Sequence, residues 1–434
     1  MNALLTKDFY PIGKIAVRML IIIFASAIFL GDNLYFWSKS AAETISTENY
    51  GASLEIRNPE NIEKEVKETS KKLWNSSLKA RYGNIPVRNV AEGIVHIKMT
   101  KKINGRPVKI NVLEINNKIN PDIEITPVLA GEKLSGKASI RSLSRKNNSV
   151  AAVNGSFFMP KTGVPLGILM VDKKILTGPI YNRVALGITE NGFKMDRVSL
   201  DAKLTCGENI LTVNNLNIPR MLSTDVIVYD GSWGKKSPAP PKNGVLAVVG
   251  SKQLIKLSYE SVEIPENSFV ISAPKDKIDE FIKQKEVKKF FGRKNINSEI
   301  NFEIKTIPDW NDVKHIISGG PYLVKNGNLF VDCAEQKFNS IAGRNPRTAA
   351  GYTKDGYFII VTIDGREKTS VGVNLYDLAK IMKSFGCYNA MNLDGGSSTI
   401  MQVNGNIVSS PSVKGGIAVS NALTVNIPQK LAQN

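Results

Sequence analysis

Tyr357-Phe358-Ile359-Ile360-Val361-Thr362-Ile363-Asp364-Gly365-Arg366 opens the part of this chain whose reading decides its fold. Tyr357 to Ile363 reads as a buried strand, and a carboxylate, a glycine and an arginine end it. Leu375, Leu378, Ala379, Met382 and Phe385 then recur at helical spacing. Asn374 stands before them as an N-cap, Asp377 occupies the favourable third position, and Gly386 closes the helix. A second apolar strand, Tyr388 to Leu393, delivers Asn392-Leu393-Asp394-Gly395-Gly396-Ser397-Ser398-Thr399. The order is strand, turn, helix, strand, turn, with polar groups gathered at strand ends.

Working outward, the same signals recur. Gly93 to Met99, Pro107 to Ile115 and Asp122 to Leu129 alternate and are rich in β-branched residues, as strands are. Ser149 to Val153 is a short buried strand that ends in Asn154-Gly155-Ser156-Phe157-Phe158. Val164 to Val171 and Lys174 to Ile180 read as a hairpin. His315 to Gly319 reads as a further strand, Tyr322 to Asn328 as a hairpin arm, and Gly343 to Gly351 as a polar turn. A middle section, about 200–312, holds short strands, a proline-rich loop and a basic helix over Pro274 to Phe291. The expected fold is α+β: a mixed, largely antiparallel sheet core with packed helices, forming one catalytic domain with a smaller inserted subdomain.

Residues 1–42 read as a signal peptide or an N-terminal membrane anchor. Lys7, Lys14 and Arg18 precede the apolar run Met19 to Leu30, as in export signals. The alternative is an uncleaved span over residues 19–37. Either reading exports the bulk of the chain, which would then be extracellular, periplasmic or anchored facing outward. Residues 43–89 read as a linker and helical stalk, and 90–428 as the globular domain.

The 434 residues carry a formal net charge of +18, which favours anionic partners without choosing among them. A solvated basic surface accounts for the charge equally well. No nucleic-acid motif interleaves the basic runs with aromatics. The three cysteines, Cys206, Cys333 and Cys387, lack metal-ligand spacing. One disulfide with a free thiol, or three reduced cysteines, fits them. His96 and His315 are the only histidines, which excludes a three-histidine metal site within one chain. Neither sits in a catalytic context.

The residues with chemical potential lie at strand ends. Asp364 and Asp394 each follow an apolar strand and precede a glycine. If their strands are neighbours, the two carboxylates form the pair that glycoside cleavage uses, or an oxygen site for a Ca or Mg ion. A turn capped by Asp explains each of them locally. Arg344 and Arg347 flank Pro346 on a stiffened turn, and Arg366 follows Asp364. Guanidinium groups bind phosphate through paired hydrogen bonds. Gly395 and Gly396 permit close approach of a ligand, and the Ser397 hydroxyl lies just beyond. Asn154 and Ser156, with two phenylalanines after them, could bind a sugar or form ordinary core.

Four of these segments occur in a fixed order: Ala152-Val153-Asn154-Gly155-Ser156-Phe157-Phe158, Asn345-Pro346-Arg347-Thr348-Ala349-Ala350-Gly351, Asp364-Gly365-Arg366, and Asn392 to Thr399. Together they resemble the phosphodiester glycosidase family, across roughly Val90 to Pro428 and least clearly over 200–312. The resemblance implies hydrolysis of a glycosyl-1-phosphodiester at the sugar C1–O bond, with a phosphorylated glycan as partner; the sequence itself requires no cofactor and leaves room for a Ca or Mg ion. It implies Asp394 as nucleophile or base and Asp364 as second carboxylate. Arg344, Arg347 and Arg366 would hold phosphate, and Asn154 would bind the sugar that Gly395 and Gly396 admit. The rival readings are a non-catalytic binder of phosphorylated or acidic polysaccharide and a metal-dependent phosphodiester hydrolase.

Overall fold

The computed structural model describes residues 59–283 and 299–428. The apolar stretch 19–37, nearly all of the expected linker, and the basic end of the helix read over Pro274 to Phe291 lie outside them. The helix itself is described as Lys275–Lys283. Lys64–Asn434 forms one compact unit; Met1–Glu63 forms another, of which only the start of the first helix is described. Among the described residues, no helix is long and apolar enough to cross a membrane.

The largest sheet has eight strands, antiparallel throughout. Their spatial order is Val87–Ala91, Ile94–Ile103, Arg106–Ile115, Phe358–Ile363, Arg347–Thr353, Cys387–Asn392, Tyr322–Lys325 and Asn328–Leu329. The apolar run at 358–363 lies inside it and is covered on both faces. Ile359, Val361 and Ile363 join one core, with Leu375, Leu378 and Met382 of the helix Leu375–Ser384 and Trp74, Leu78 and Tyr82 of the helix Pro59–Tyr82. Phe358 and Ile360 join a second core on the other face, with Val153, Met401, Leu423 and Val425 of a five-stranded sheet. Double-sided burial is why this strand reads as a continuous apolar run rather than an alternating one.

That second sheet orders Asn406–Ile407, Met401–Val403, Ala151–Asn154, Asn421–Asn426 and Glu124–Leu129. A third places Val313–Ser318 between Leu169–Val171 and Val184–Thr189. Residues 199–307 build two further sheets around a core that includes Leu204, Val228, Val249 and Ile271. The first and last strands of this section, Ser199–Cys206 and Ile300–Ile307, pair with each other, and Ser199 stands opposite Ile307.

The largely antiparallel sheet is as expected, but the α+β reading overstates the helices. Among the described residues there are four α-helices against 26 strands. The turn expected over Gly343 to Gly351 is also corrected, since its second half begins the strand Arg347–Thr353. This strand lies between Phe358–Ile363 and Cys387–Asn392, so the strands that end at Asp364 and Asp394 are not neighbours. Small residues make the insertion feasible: a Cβ on Gly351 would meet the Asn389 carbonyl oxygen at 2.6 Å. Cys206 and Cys387 are buried and Cys333 is half-buried. His315 is buried, and its Nδ1 accepts from the Asp172 N–H at 3.1 Å.

One buried charge fixes the first helix to the sheet. Glu114 is fully buried and accepts from Trp74 Nε1 at 2.7 Å, Tyr82 Oη at 2.7 Å and the Arg81 guanidinium. Removing one side of a buried ion pair strands the other, at a cost of about 3–5 kcal/mol. Glu114→Ala should therefore lower the unfolding free energy by about 3 kcal/mol or more in urea titrations. A loss below about 1 kcal/mol would show that the helix is held by its apolar contacts alone.

Candidate active site

Both Asp-Gly turns emerge at one edge of the large sheet, on either side of Pro346. A Cβ on Gly365 would meet the Pro346 nitrogen at 2.8 Å, and one on Gly395 would meet the Pro346 carbonyl oxygen at 3.0 Å. The Gly396 N–H donates to that same carbonyl at 2.8 Å, with Gly396 at φ +61°. A left-handed residue with so little room is most cheaply glycine. The parent strands lie two ladder spacings apart, roughly 10 Å.

The two carboxylates occupy different surroundings. Asp364 is buried: its Oδ1 accepts from the Ser410 N–H at 2.9 Å, and its Oδ2 has no partner within the protein. Burial pushes its pKa upward. Asp394 keeps an opening to solvent but is otherwise packed in protein. Burial raises its pKa to about 6, against the Ser398 hydroxyl, the Gly395 N–H and the nearby Arg183 charge, which favour the ionised form. Neither carboxylate figures among the groups that shift the other. The neighbouring-strand arrangement on which the sequence would pair Asp364 with Asp394 is not found, because Arg347–Thr353 separates the two strands. Among the described residues, no group of three or more His, Cys, Asp or Glu is placed to hold a metal ion.

The arginines divide in the same way. Arg347 is buried, and its guanidinium donates to the carbonyls of Val373, Ile341 and Gly343. Arg344 donates to the carbonyls of Gly372 and Ile103 and lies 3.5 Å from Asp377. Both staple the 343–346 loop, because a fork of N–H donors suits inward-pointing carbonyls as well as it suits phosphate. Only Arg366 of the three is exposed. It has φ +62°, and its Nη1 and Nη2 donate to Ser397 Oγ and Asn345 Oδ1, each at 3.0 Å.

Asn154 bonds to three parts of the fold. Its Oδ1 accepts from Thr348 Oγ1 at 2.7 Å and from the Ile400 N–H at 3.2 Å, and its Nδ2 donates to the Asp394 carbonyl at 2.6 Å. The Asp394 N–H returns to the Gly155 carbonyl at 3.1 Å. Asn154 thus positions the backbone of the Asp394 turn, using both acceptor sites of its Oδ1 and one N–H of its Nδ2 within the protein. Ser156 is buried and exchanges hydrogen bonds with the Asn421 side chain.

Arg183 was not singled out from the sequence, yet it completes the site. It is only 8% exposed, and its Nε and Nη1 have no partner within the protein. Three aromatic rings surround the guanidinium: Phe338 at 4.2 Å, Phe157 at 5.2 Å and Tyr181 at 5.5 Å. Burial lowers its pKa to about 10, and Tyr181 and Asp394 oppose that shift. Buried N–H groups are almost always hydrogen-bonded, so the two unpartnered donors of Arg183 are an exception that makes it a candidate anion contact. Asn392 Oδ1 and Thr399 Oγ1, on the Asp394 turn and the strand leading to it, are likewise buried and unpartnered.

Residues 242–426 match the family model described as phosphodiester glycosidase. The resemblance to the phosphodiester glycosidases holds. Mouse N-acetylglucosamine-1-phosphodiester alpha-N-acetylglucosaminidase is 31% identical over 115 residues, which is 24% of this chain and 22% of that protein. The SPbeta prophage-derived uncharacterized protein YomE of Bacillus subtilis is 39% identical over 87 residues, 20% of this chain and 13% of the relative. The chain thus spans about a fifth or less of the length of these curated relatives. In fold, it is similar to a hypothetical protein from Synechocystis (TM-score 0.69, 24% identity, 79% of this chain and 64% of that one). It is also similar to a protein of Burkholderia pseudomallei described as exported (TM-score 0.59, 22% identity, 74% of each chain). The glycosidase match takes in Arg344, Arg347, Asp364, Arg366 and Asp394, whereas Asn154, Ser156 and Arg183 precede it.

Stability separates the two kinds of arginine. Arg347→Met removes donors from three carbonyls and should cost about 2 kcal/mol or more of unfolding free energy. Arg183→Met removes a buried charge without a firm partner, so it should leave stability unchanged or raised while abolishing phosphate binding by calorimetry. A marked loss of stability in Arg183→Met would make that residue structural.

Proposed function

We propose that this chain is an exported hydrolase that cleaves the sugar C1–O bond of a glycosyl-1-phosphodiester in envelope or extracellular glycans. The observation that carries the reading is the orphaned, ring-enclosed Arg183 beside a carboxylate whose pKa lies near 6. The family match supports the reaction class. The site residues are assigned from geometry.

In this reading, phosphate is drawn to the Arg183 guanidinium, whose Nε and Nη1 lack partners within the protein, with Arg366 as a second cation on the far side of the Asp394 turn. A fixed guanidinium in a poorly solvated pocket stabilises the departing phosphate charge more than water would. As the C1–O bond breaks, its electron pair leaves with the phosphate oxygen. Water attacks C1, and Asp394 takes the proton released from that water. The phosphomonoester is a good leaving group, so strong acid assistance is unnecessary and a single working carboxylate suffices. Asp364 acts at a distance: its backbone and Ser370 Oγ close the turn that presents Arg366.

Glycosyl-1-phosphodiesters offered to the full chain should yield free sugar and phosphomonoester in equal amounts. Asp394→Asn should lower kcat/KM by about a thousandfold, and Arg183→Gln by a similar factor. Activity should rise with pH through about 6 as Asp394 ionises. Equal turnover by wild type and Asp394→Asn would remove Asp394 from the chemistry. Phosphate binding without turnover of any glycosyl phosphodiester would instead favour a non-catalytic glycan binder.

The same pKa makes a stability prediction. Asp394 titrates near 6 when folded and near 4 when unfolded, so between these values the native state holds the extra proton. Its contribution therefore falls as pH rises from about 4 to 6. Asp394→Asn should lack that decline, and its stability advantage over wild type should be greatest above pH 6. An identical pH dependence in both proteins would place the Asp394 pKa at an ordinary value.

A further inference from the structure

The ring of Tyr181 has two neighbours beyond the site. Lys337 Nζ lies 4.6 Å from its centroid, and its hydroxyl reaches Met221 Sδ at 4.0 Å. Met221 belongs to the 199–307 section, so a tip of that section abuts the wall of the anion site. Met221 and Leu222 are 43% and 63% exposed, and Tyr181 itself is 37% exposed.

These two apolar side chains are held out by a braced loop. Arg220 donates to the carbonyls of Asp225 and Ser272 and to Ser272 Oγ, at 2.6–2.9 Å. The Leu222 N–H donates to Asp225 Oδ2 at 3.2 Å, and Lys277 Nζ donates to the Thr224 carbonyl at 2.9 Å. A mobile loop could fold its methionine and leucine inward; this one is tied on three sides and presents them to solvent. A rigid apolar display next to a polar site marks a contact surface.

We propose that Tyr181, Met221 and Leu222 form a second subsite, which takes the apolar part of an anionic amphiphile whose phosphate sits on Arg183. The proposal rests on the anion-site reading and adds to it. The substrate would be a phosphodiester whose group beyond the phosphate is aliphatic or aromatic rather than a bare polyol. The charge pattern favours this occupant over a neutral apolar ligand or a protein partner. Arg183 and Lys337 both lie over the Tyr181 ring, so the shelf begins where two cations end. An amphiphile satisfies both halves at once.

The test uses two phosphate monoesters that contain no glycosidic bond: octyl phosphate below its micelle concentration, and glycerol 3-phosphate. Binding to the full chain is measured by calorimetry. Wild type should bind octyl phosphate at least tenfold more tightly than glycerol 3-phosphate. The double variant Met221→Ser/Leu222→Ser should bring that ratio close to one and leave glycerol 3-phosphate affinity unchanged. Arg183→Gln should weaken both ligands. Equal affinities in wild type, or a ratio that survives the double variant, overturn the subsite. If neither compound binds wild type, the anion site itself falls and the subsite with it. If the binding pattern is as expected but no glycosyl phosphodiester is turned over, the subsite stands and the hydrolase reading alone fails.

Discussion

The side chain of Asn154 is the joint on which the site depends. It ends a strand of the five-stranded sheet, and with one amide it grips Thr348 of the large sheet, the N–H of Ile400 and the carbonyl of Asp394. Two sheets whose shared core is apolar are thereby fixed in register where their strands end. Apolar contact sets distance but not direction. A buried amide with three hydrogen bonds sets both, because each lone pair and N–H has a preferred direction. The Asp394 turn inherits that orientation, and the next residue, Gly155, supplies the carbonyl that receives the Asp394 N–H. Gly155 has no space for a side chain, since a Cβ there would lie 2.0 Å from Asn421 Oδ1.

The remaining parts of the site fall into supports and open groups. Arg344, Arg347, Asp364 and Asn154 spend their polar atoms mainly on the protein, and their effect is to hold two glycine turns against Pro346. Asp394, Arg366 and Arg183 are the groups left for a ligand. Among these, Arg183 is exceptional because its charge is buried without hydrogen-bond partners on two nitrogens. The aromatic rings around it lower the cost of that burial through cation–π attraction.

What could be read from the sequence follows from what each kind of signal encodes. Periodicity and capping are local, so the strand at 358–363, the helix capped by Asn374 and the strand leading to Asp394 were all legible. Residue type was legible too: three arginines do stand at strand ends. Direction was not. Whether a guanidinium turns inward to carbonyls or outward to solvent depends on loops such as 372–374, which come from elsewhere in the chain. Strand order was equally hidden, because the Ala-Ala-Gly stretch at 349–351 carries little strand propensity and enters the sheet through its small size. Arg183 offered no local pattern at all. Its role arises from Phe157 and Phe338, which approach it from separate elements, and only the positive φ of Tyr181 and Asn182 marks the turn before it.

The pairing of Ser199 with Ile307 has a further consequence. A segment of about a hundred residues thus leaves and re-enters the fold at one point, and it is tied back to the rest at a few others, among them Gly178 N–H to the Leu216 carbonyl and Asn217 Nδ2 to the Leu176 carbonyl. If its Met221 tip touches what the site receives, the chain has divided its labour along a seam. On the proposed reading, bond-breaking would rest on a scaffold locked by hydrogen bonds, and choice of substrate on an insertion whose outer loops can vary while its anchoring contacts stay.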